Sequence, residues 1–246
     1  MLKIAVVTPY YKESSAILRQ CHESVVQQTY ECQHILVSDG HPEMAFDSSP
    51  KALHVKLPMA NGDNGNTPRA IGGILAERNG FDAVAYLDAD NWYDRNHMET
   101  MVATYESHRA PLIASKRRFC DLEGNPLHVT EKDEESNNHV DTSCWLIFPP
   151  AFHLLRTWLM PKELSPICDR IFFHKVVHDR LRIAATNCRT VNFRTQYSLH
   201  YQAAGVSPPP GAKTTDEVTR NATAYLSTER GVAEFNKFLG ASTAGR

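Results

Sequence analysis

The chain has 246 residues, with 26 Lys and Arg against 28 Asp and Glu, for a formal charge of −2. That balance gives no global attraction to nucleic acid or an acidic membrane, so an anionic ligand has to be held by local groups or by a cation. Hydrophobic residues make up 42% of the chain, enough for one large core, and no run approaches the roughly 20 apolar residues of a membrane span.

The opening MLKIAVVTPYY has too short an apolar run for a secretory signal and carries no small-residue cleavage site. A cytoplasmic protein is the expectation. Cys21, Cys32, Cys120, Cys144, Cys168 and Cys188 form no C-x-x-C pair, which suits reduced, partly buried thiols better than a zinc site or disulfide framework.

Taken in order, the first third alternates strand and helix patterns. KIAVVTP reads as a strand buried on both faces and closed by Pro9. ESSAILRQCHESVVQQ follows, with Ile17, Leu18, Cys21, Val25 and Val26 near helical spacing and Ser14 or Ser15 as the cap. HILVSDG is a second buried strand and ALHVKLP a third. The Gly- and Asn-rich NGDNGNTP leads into a helix, RAIGGILAERNG, and FDAVAYLDAD is a fourth strand. This order predicts an α/β fold, a mostly parallel sheet with helices on both faces.

The second half reads as an α+β segment. PLIASKRRFCDLEGNPLHVT suggests a hairpin around Glu123-Gly124-Asn125. EKDEESNN is a charged loop and a candidate lid; VDTSCWLIFPPAF is a strand, DRIFFHKVVHDRL a helix, and CRTVNFRTQYSLHYQ a further strand. After the proline-rich GVSPPPG, a helical segment runs from about Thr215 to the tail GASTAGR. The expected division is 1–205 as one domain, in halves 1–110 and 111–205, and 206–246 as an extension, a candidate surface for homo-oligomer contacts.

Ligands of such sheets gather beyond the carboxyl ends of the strands. Three polar clusters fall there: Thr8 to Tyr11, Ser38 to Gly40, and Asp88 to Asn91. Asp88 and Asp90, two positions apart at a strand end, face one side and suit a hard cation, Mn²⁺ or Mg²⁺, bound to phosphate oxygens. Arg69 opens a helix after the Asn- and Gly-rich loop, where guanidinium and helix N–H groups suit a diphosphate; a surface salt bridge is the competing role.

Together VVTPYYKES, SVVQQTY, ILVSDG, NGNTPRAIGGILA and AYLDADNWY resemble, in this order, the family 2 glycosyltransferases of GT-A fold. The resemblance covers roughly the first 200 residues. It implies transfer of a sugar from a nucleotide diphosphate sugar, with UDP favoured, to a hydroxyl of a saccharide or glycolipid acceptor, with metal dependence and inversion at the anomeric carbon. It gathers Thr8, Pro9, Tyr10, Asp39, Arg69, Asp88 and Ala89 around the nucleotide: Asp39 accepts the imide N–H of uracil and Tyr10 offers a stacking face. Ser38-Asp39 stands where the family commonly has two acidic residues.

The resemblance also places Asp169, in SPICDRIFF, at the position of the catalytic base, just after a helix start implied by Pro166. Asp141, in VDTSCW, is the second candidate and is alternatively an acceptor ligand. His200 is a candidate third metal or phosphate ligand, competing with a structural role, and Trp145 a candidate sugar platform, competing with a core role. SKRR is a candidate anion contact or a solvated patch, and His174 and His178 are expected on a solvated helix face. Two other functions stay open: an aspartyl-nucleophile phosphohydrolase, which normally carries D-x-D on its first strand, and a nucleotide-sugar-binding protein without catalysis.

Overall fold

Ile4–Tyr10 forms the first strand, β1, buried along its whole length, as an apolar run without polar alternation requires. The structure, a computed structural model, describes residues 1–130 and 139–240. The candidate lid in EKDEESNN and the tail beyond Gly240 lie outside the described residues.

Seven more strands join β1: β2 (Gln33–Ser38), β3 (Ala52–Lys56), β4 (Ala83–Tyr86), β5 (Trp92–Tyr93), β6 (Leu112–Cys120), β7 (Trp145–Ile147) and β8 (Ile183–Arg194). They form one sheet in the order β3-β2-β1-β4-β7-β6-β8-β5. The first four are mutually parallel, and β6 and β8 are also parallel. β7 runs antiparallel between β4 and β6, and β5 antiparallel on β8. The fold is thus mixed α/β on a mostly parallel, curled sheet.

The helices are α1 (Ser15–Val26), α2 (Asn66–Arg78), α3 (His97–His108), α4 (Cys168–His178), α5 (Ser198–Ala203), α6 (Thr215–Leu226) and α7 (Glu229–Leu239). Strand alternation sets the faces. Thr8 of β1 meets Cys21 of α1, while its neighbour Val7 lies against Gly72 of α2. Ser14 caps α1, whose Leu18, Cys21, His22 and Val25 are buried. Gly65 precedes α2 in the left-handed region at φ 78°, where a residue without Cβ is least strained.

The hairpin around Glu123-Gly124-Asn125 forms but stays short, with Asp121 N donating to Asn125 O and Leu127 N to Phe119 O. Asp121 Oδ1 accepts from Glu123 N and Asn125 N and closes a turn, but only one bridge, Cys120 to Pro126, follows it. β7 and β8 already flank β6, and Pro126 has no N–H to extend a ladder. The strand expected in VDTSCWLIFPPAF shortens to three residues. A 3-10 turn at Thr142–Cys144 precedes it and a 3-10 stretch at Pro149–Leu159 follows. CRTVNFRTQYSLHYQ stops being strand at Arg194 because Thr195 Oγ1 accepts from Tyr197 N and pairs with His200 Nδ1, turning the chain into α5.

Trp145, Trp158 and Phe172 fill the core behind β7, with Trp158 stacked on Phe172 at 4.7 Å. Trp145 is fully enclosed, so it is core and no sugar platform. Thr214 and Glu217 form a reciprocal capping box at the start of α6. Among the described residues, no helix is long and apolar enough to cross a membrane.

Candidate functional site

The parallel order β2-β1-β4 brings the ends of three strands to one edge. Asp39 N donates to Tyr10 O at 2.7 Å, locking the exit of β2 to that of β1. After β4, Leu87 N donates to Val7 O, so the chain reaches Asp88 still tied to β1. Asn91 N then closes a turn on Asp88 O, while Asp88 N and Asn91 Nδ2 both donate to Ser143 Oγ. The D-x-D turn is therefore held on both sides.

Arg69 aims at this turn. Its Nη2 donates to Asp88 Oδ1 at 2.6 Å, and its Nη1 to Asn64 O and Asn66 Oδ1. The guanidinium also sits 5.4 Å from the Trp158 ring and is buried. This is an enclosed charge with fixed geometry, rather than a surface salt bridge. Asp88 keeps about a quarter of its side chain open to solvent.

Asp90 is half-buried. Burial, then the charges of Asp88 and Glu13, push its carboxyl up to about 7, with Arg194 opposing in part. Arg194 donates to Asp90 O and Gln20 Oε1 and lies 4.9 Å from the Trp92 ring. Two carboxylates crowded until one resists ionisation suit a hard divalent cation, which reverses that penalty. The donor set fits Mn²⁺ or Mg²⁺ completed by water and ligand oxygens. Among the described residues, no third His, Cys, Asp or Glu joins them in a metal-sized group. His200 accordingly stands apart: its Nδ1 pairs with Thr195 Oγ1 at 2.6 Å and its ring lies on Phe119.

Asp39 is 4% exposed, and its Oδ1 accepts from both Asn61 N and Asn61 Nδ2. Gly40 makes the approach possible: a Cβ there would lie 2.5 Å from Ala60 N. Pro9 packs beside Gly65 at the same edge. Three neighbours depart from expectation. Thr8 faces inward, with Oγ1 on His34 Nε2 at 2.8 Å. Tyr10 offers no stacking face, since its Oη pairs with His54 Nε2, accepts from Glu43 N, and its ring is covered by Phe46. Ala89 packs with Tyr10, Leu18, Leu36 and Phe46 beneath the turn. Tyr11, 41% exposed, is the open aromatic here and is not core.

Asp141 is spoken for. Its Oδ1 accepts from Ser143 N as the cap of the 3-10 turn, and its Oδ2 pairs with Arg117 Nη1 at 2.7 Å. A buried carboxylate with both oxygens engaged is a structural group and not a base. Arg117, 4.8 Å from the Phe119 ring and 4.6 Å from that of Phe193, is core, and Arg118 pairs with Asp94 and Asn192. SKRR therefore forms no solvated basic patch. His174 and His178 are exposed, on the edge of Phe235 and beside Asp179 respectively.

Asp169 lies in the first turn of α4 and remains partly open. Its Oδ2 accepts from His139 Nε2 at 2.7 Å and its Oδ1 from Arg170 N. The adjacent Cys168 thiol is pushed up to about 12 by burial, with Arg69, Asp169 and Asp88 all acting on it. Asn64 Nδ2 donates to Ser165 Oγ at 3.2 Å, which ties the segment before α4 to the loop that holds Arg69. Sequence reading missed His139, Asn61, Asn64, Asn66, Ser143 and Arg194. The three asparagines sat inside a loop already marked as unusual, whereas Ser143, from the 3-10 turn before β7, and Arg194, at the end of β8, reach the turn from far along the chain and leave no local signal.

No family model and no curated protein matches the chain. Solved structures do. TarS from S. aureus, a family 2 glycosyltransferase, residues 1–349 in complex with UDP-GlcNAc, superposes with TM-score 0.64 at 17% identity, over 98% of this chain and 72% of that one. The UDP complex gives 0.63 at 16%, over 97% and 70%. A longer TarS chain gives 0.60 at 15%, over 99% of this chain and 44% of its own length, so the chain spans under half of that protein. At this depth the likeness concerns the backbone, and the chain has a GT-A-like glycosyltransferase fold.

Proposed function

We propose that the chain is a metal-dependent, inverting glycosyltransferase that moves a sugar from a UDP-sugar to a hydroxyl of a saccharide or glycolipid. The carrying observation is the pairing of Arg69, from α2, with Asp88, whose charge in turn bears on Asp90 in the turn after β4, in a fold shared with structures holding UDP and UDP-GlcNAc.

In this reading Asp39, oriented by Asn61, accepts the uracil imide N–H through its remaining oxygen. Asp88 and Asp90 would hold Mn²⁺ or Mg²⁺, which would supply charge neutralisation at the diphosphate when bound. Arg69 adds a fixed cation at the same place. Asp169 takes the proton of the acceptor hydroxyl as its oxygen bonds to the anomeric carbon and the bond from that carbon to the diphosphate breaks. The electron pair leaves with UDP.

The phosphohydrolase alternative has less support, because Asp88 Oδ1 already pairs with Arg69 and its strand lies beside β1 in mid-sheet. The deciding experiment incubates the protein with a panel of nucleotide sugars and Mn²⁺, with and without saccharide acceptors. The proposal expects slow metal-dependent release of UDP without acceptor. Asp169→Asn should lose transfer while keeping UDP binding, and intact transfer would relocate the base. Absence of both binding and turnover across the panel defeats the proposal, and binding without turnover leaves a non-catalytic nucleotide-sugar receptor.

A further inference from the structure

We infer that His139 is a positioning residue for Asp169, fixing the carboxylate that takes the acceptor proton; this rests on the reading of Asp169 as the base given above. His139 is 4% exposed, and its Nε2 lies 2.7 Å from Asp169 Oδ2. The opposite ring nitrogen, Nδ1, is buried without a partner among the described residues. An imidazole placed only to fill space has no need of the polar contact and leaves an idle nitrogen that costs stability. Among the described residues, the one polar contact of this ring is to Asp169.

Chemistry fixes the direction of that bond. A carboxylate only accepts, so Nε2 carries the proton that joins the two side chains. The ring is itself anchored. Val140 beside it is buried, and Asp141 is clamped by Ser143 N and Arg117. On the other side, Asp169 Oδ1 accepts from Arg170 N at 2.7 Å. One donor on each oxygen sets the plane of the carboxyl group and leaves its remaining lone pairs toward the open side.

Other groups near Asp169 do not replace this contact. The half-buried Cys168 thiol is pushed up to about 12, and the Tyr197 phenol is raised by burial first and then by Asp169. When Asp169 takes the acceptor proton on a free lone pair, the His139 N–H still has its acceptor. The carboxyl group therefore keeps one orientation before and after the transfer, the preorganisation that general base catalysis rewards.

The test is steady-state kinetics of His139→Phe, His139→Leu and His139→Gln, using a donor and acceptor that wild type turns over, with UDP binding measured alongside. Gln carries an amide N–H close to the position of Nε2, whereas Phe and Leu carry none. His139→Phe should lower kcat about 10- to 100-fold with donor KM and UDP affinity held within about twofold, and His139→Gln should restore most of the rate. Where His139→Phe fails to fold, the smaller His139→Leu is compared with His139→Gln at matched folded fraction. Apolar variants as fast as wild type, or a Gln variant no better than them, would overturn the inference while leaving the transfer reaction intact. A wild-type protein without turnover would instead remove the underlying reading, and this inference with it.

Discussion

Arg69 Nη2 stands 2.6 Å from Asp88 Oδ1, the guanidinium enclosed and the carboxylate open on one side. An arginine so placed offsets the Asp88 charge within the D-x-D turn. Its partners Asn64 and Asn66 come from the loop and first turn of α2, so loop, helix and turn form one unit. Removing one member of a buried pair is costly because the other is left uncompensated.

Arg69→Leu is accordingly expected to lose about 1–3 kcal/mol in urea unfolding, less than a fully buried pair because Asp88 reaches solvent. Arg69→Lys keeps the charge but loses the fork that spans Asp88, Asn64 and Asn66. It should retain most of the stability and lose about tenfold or more in UDP affinity by calorimetry. A Lys variant with undiminished affinity would show that the fork does not matter.

Asp90 presents the reverse case, a charge that burdens the fold. Burial, Asp88 and Glu13 all oppose its ionisation. Its folded pKa of about 7 exceeds the ordinary 3.8, so the folded state binds more protons in that window and stability falls as pH rises through it. In chelator at pH 8, Asp90→Asn should therefore be more stable than wild type, by about 1–3 kcal/mol once solvent screening is allowed for. The same variant should lose metal-dependent activity. Equal melting curves in chelator would refute the crowding argument.

Three buried histidines make the opposite prediction in acid. His34 lies well below 6.5 because of burial and then His22, and His22 is itself lowered by burial. Burial brings His97 down to about 3. Below 6.5 the unfolded chain binds protons that the folded chain refuses, so stability falls as pH drops, at up to about 1.4 kcal/mol per pH unit for each histidine. His34 Nε2 pairs with Thr8 and its Nδ1 with His22, so His34→Asn should cost stability near neutrality. It should also flatten the acid limb between about pH 6.5 and 4.5. An unchanged slope in pH-dependent urea melts would show that His34 does not titrate with unfolding.

Gly72 separates helix propensity from packing. Gly to Ala inside a helix ordinarily gains about 1 kcal/mol. Here a Cβ would overlap Val7 Cγ1 and lie 3.0 Å from Val37 Cγ2, and overpacking of that kind costs about 1–3 kcal/mol. Gly72→Ala should thus lower the thermal midpoint by a few degrees; a rise would mean that α2 can lift away from the sheet.

The parallel half of the sheet was legible because β1, β2 and β4 are continuous apolar runs whose ends must converge. Strand-end and helix-start positions made the D-x-D turn and Arg69 candidates, and the structure brings Arg69 onto Asp88. Facing was harder to read. Thr8 and Tyr10 sit on the α1 side of β1, where neighbours from β2, β3 and the 3-10 turn at Met44–Ser48 absorb them. Asp141 looked free because its partner Arg117 lies 24 residues earlier. His139 carried no local pattern at all, since its meaning comes from an aspartate 30 residues later. In the second half the hairpin after β6 stays short because both edges of that strand are already filled.

Calorimetric titration of UDP into wild type and into Asp88→Asn/Asp90→Asn, each with Mn²⁺ and with chelator, bears most directly on the role of the D-x-D turn. Wild type should bind UDP in Mn²⁺ and lose about 100-fold or more in chelator, and the double variant should bind weakly in both. Equal UDP affinity in all four titrations would place the diphosphate away from Asp88 and Asp90 and contradict the account.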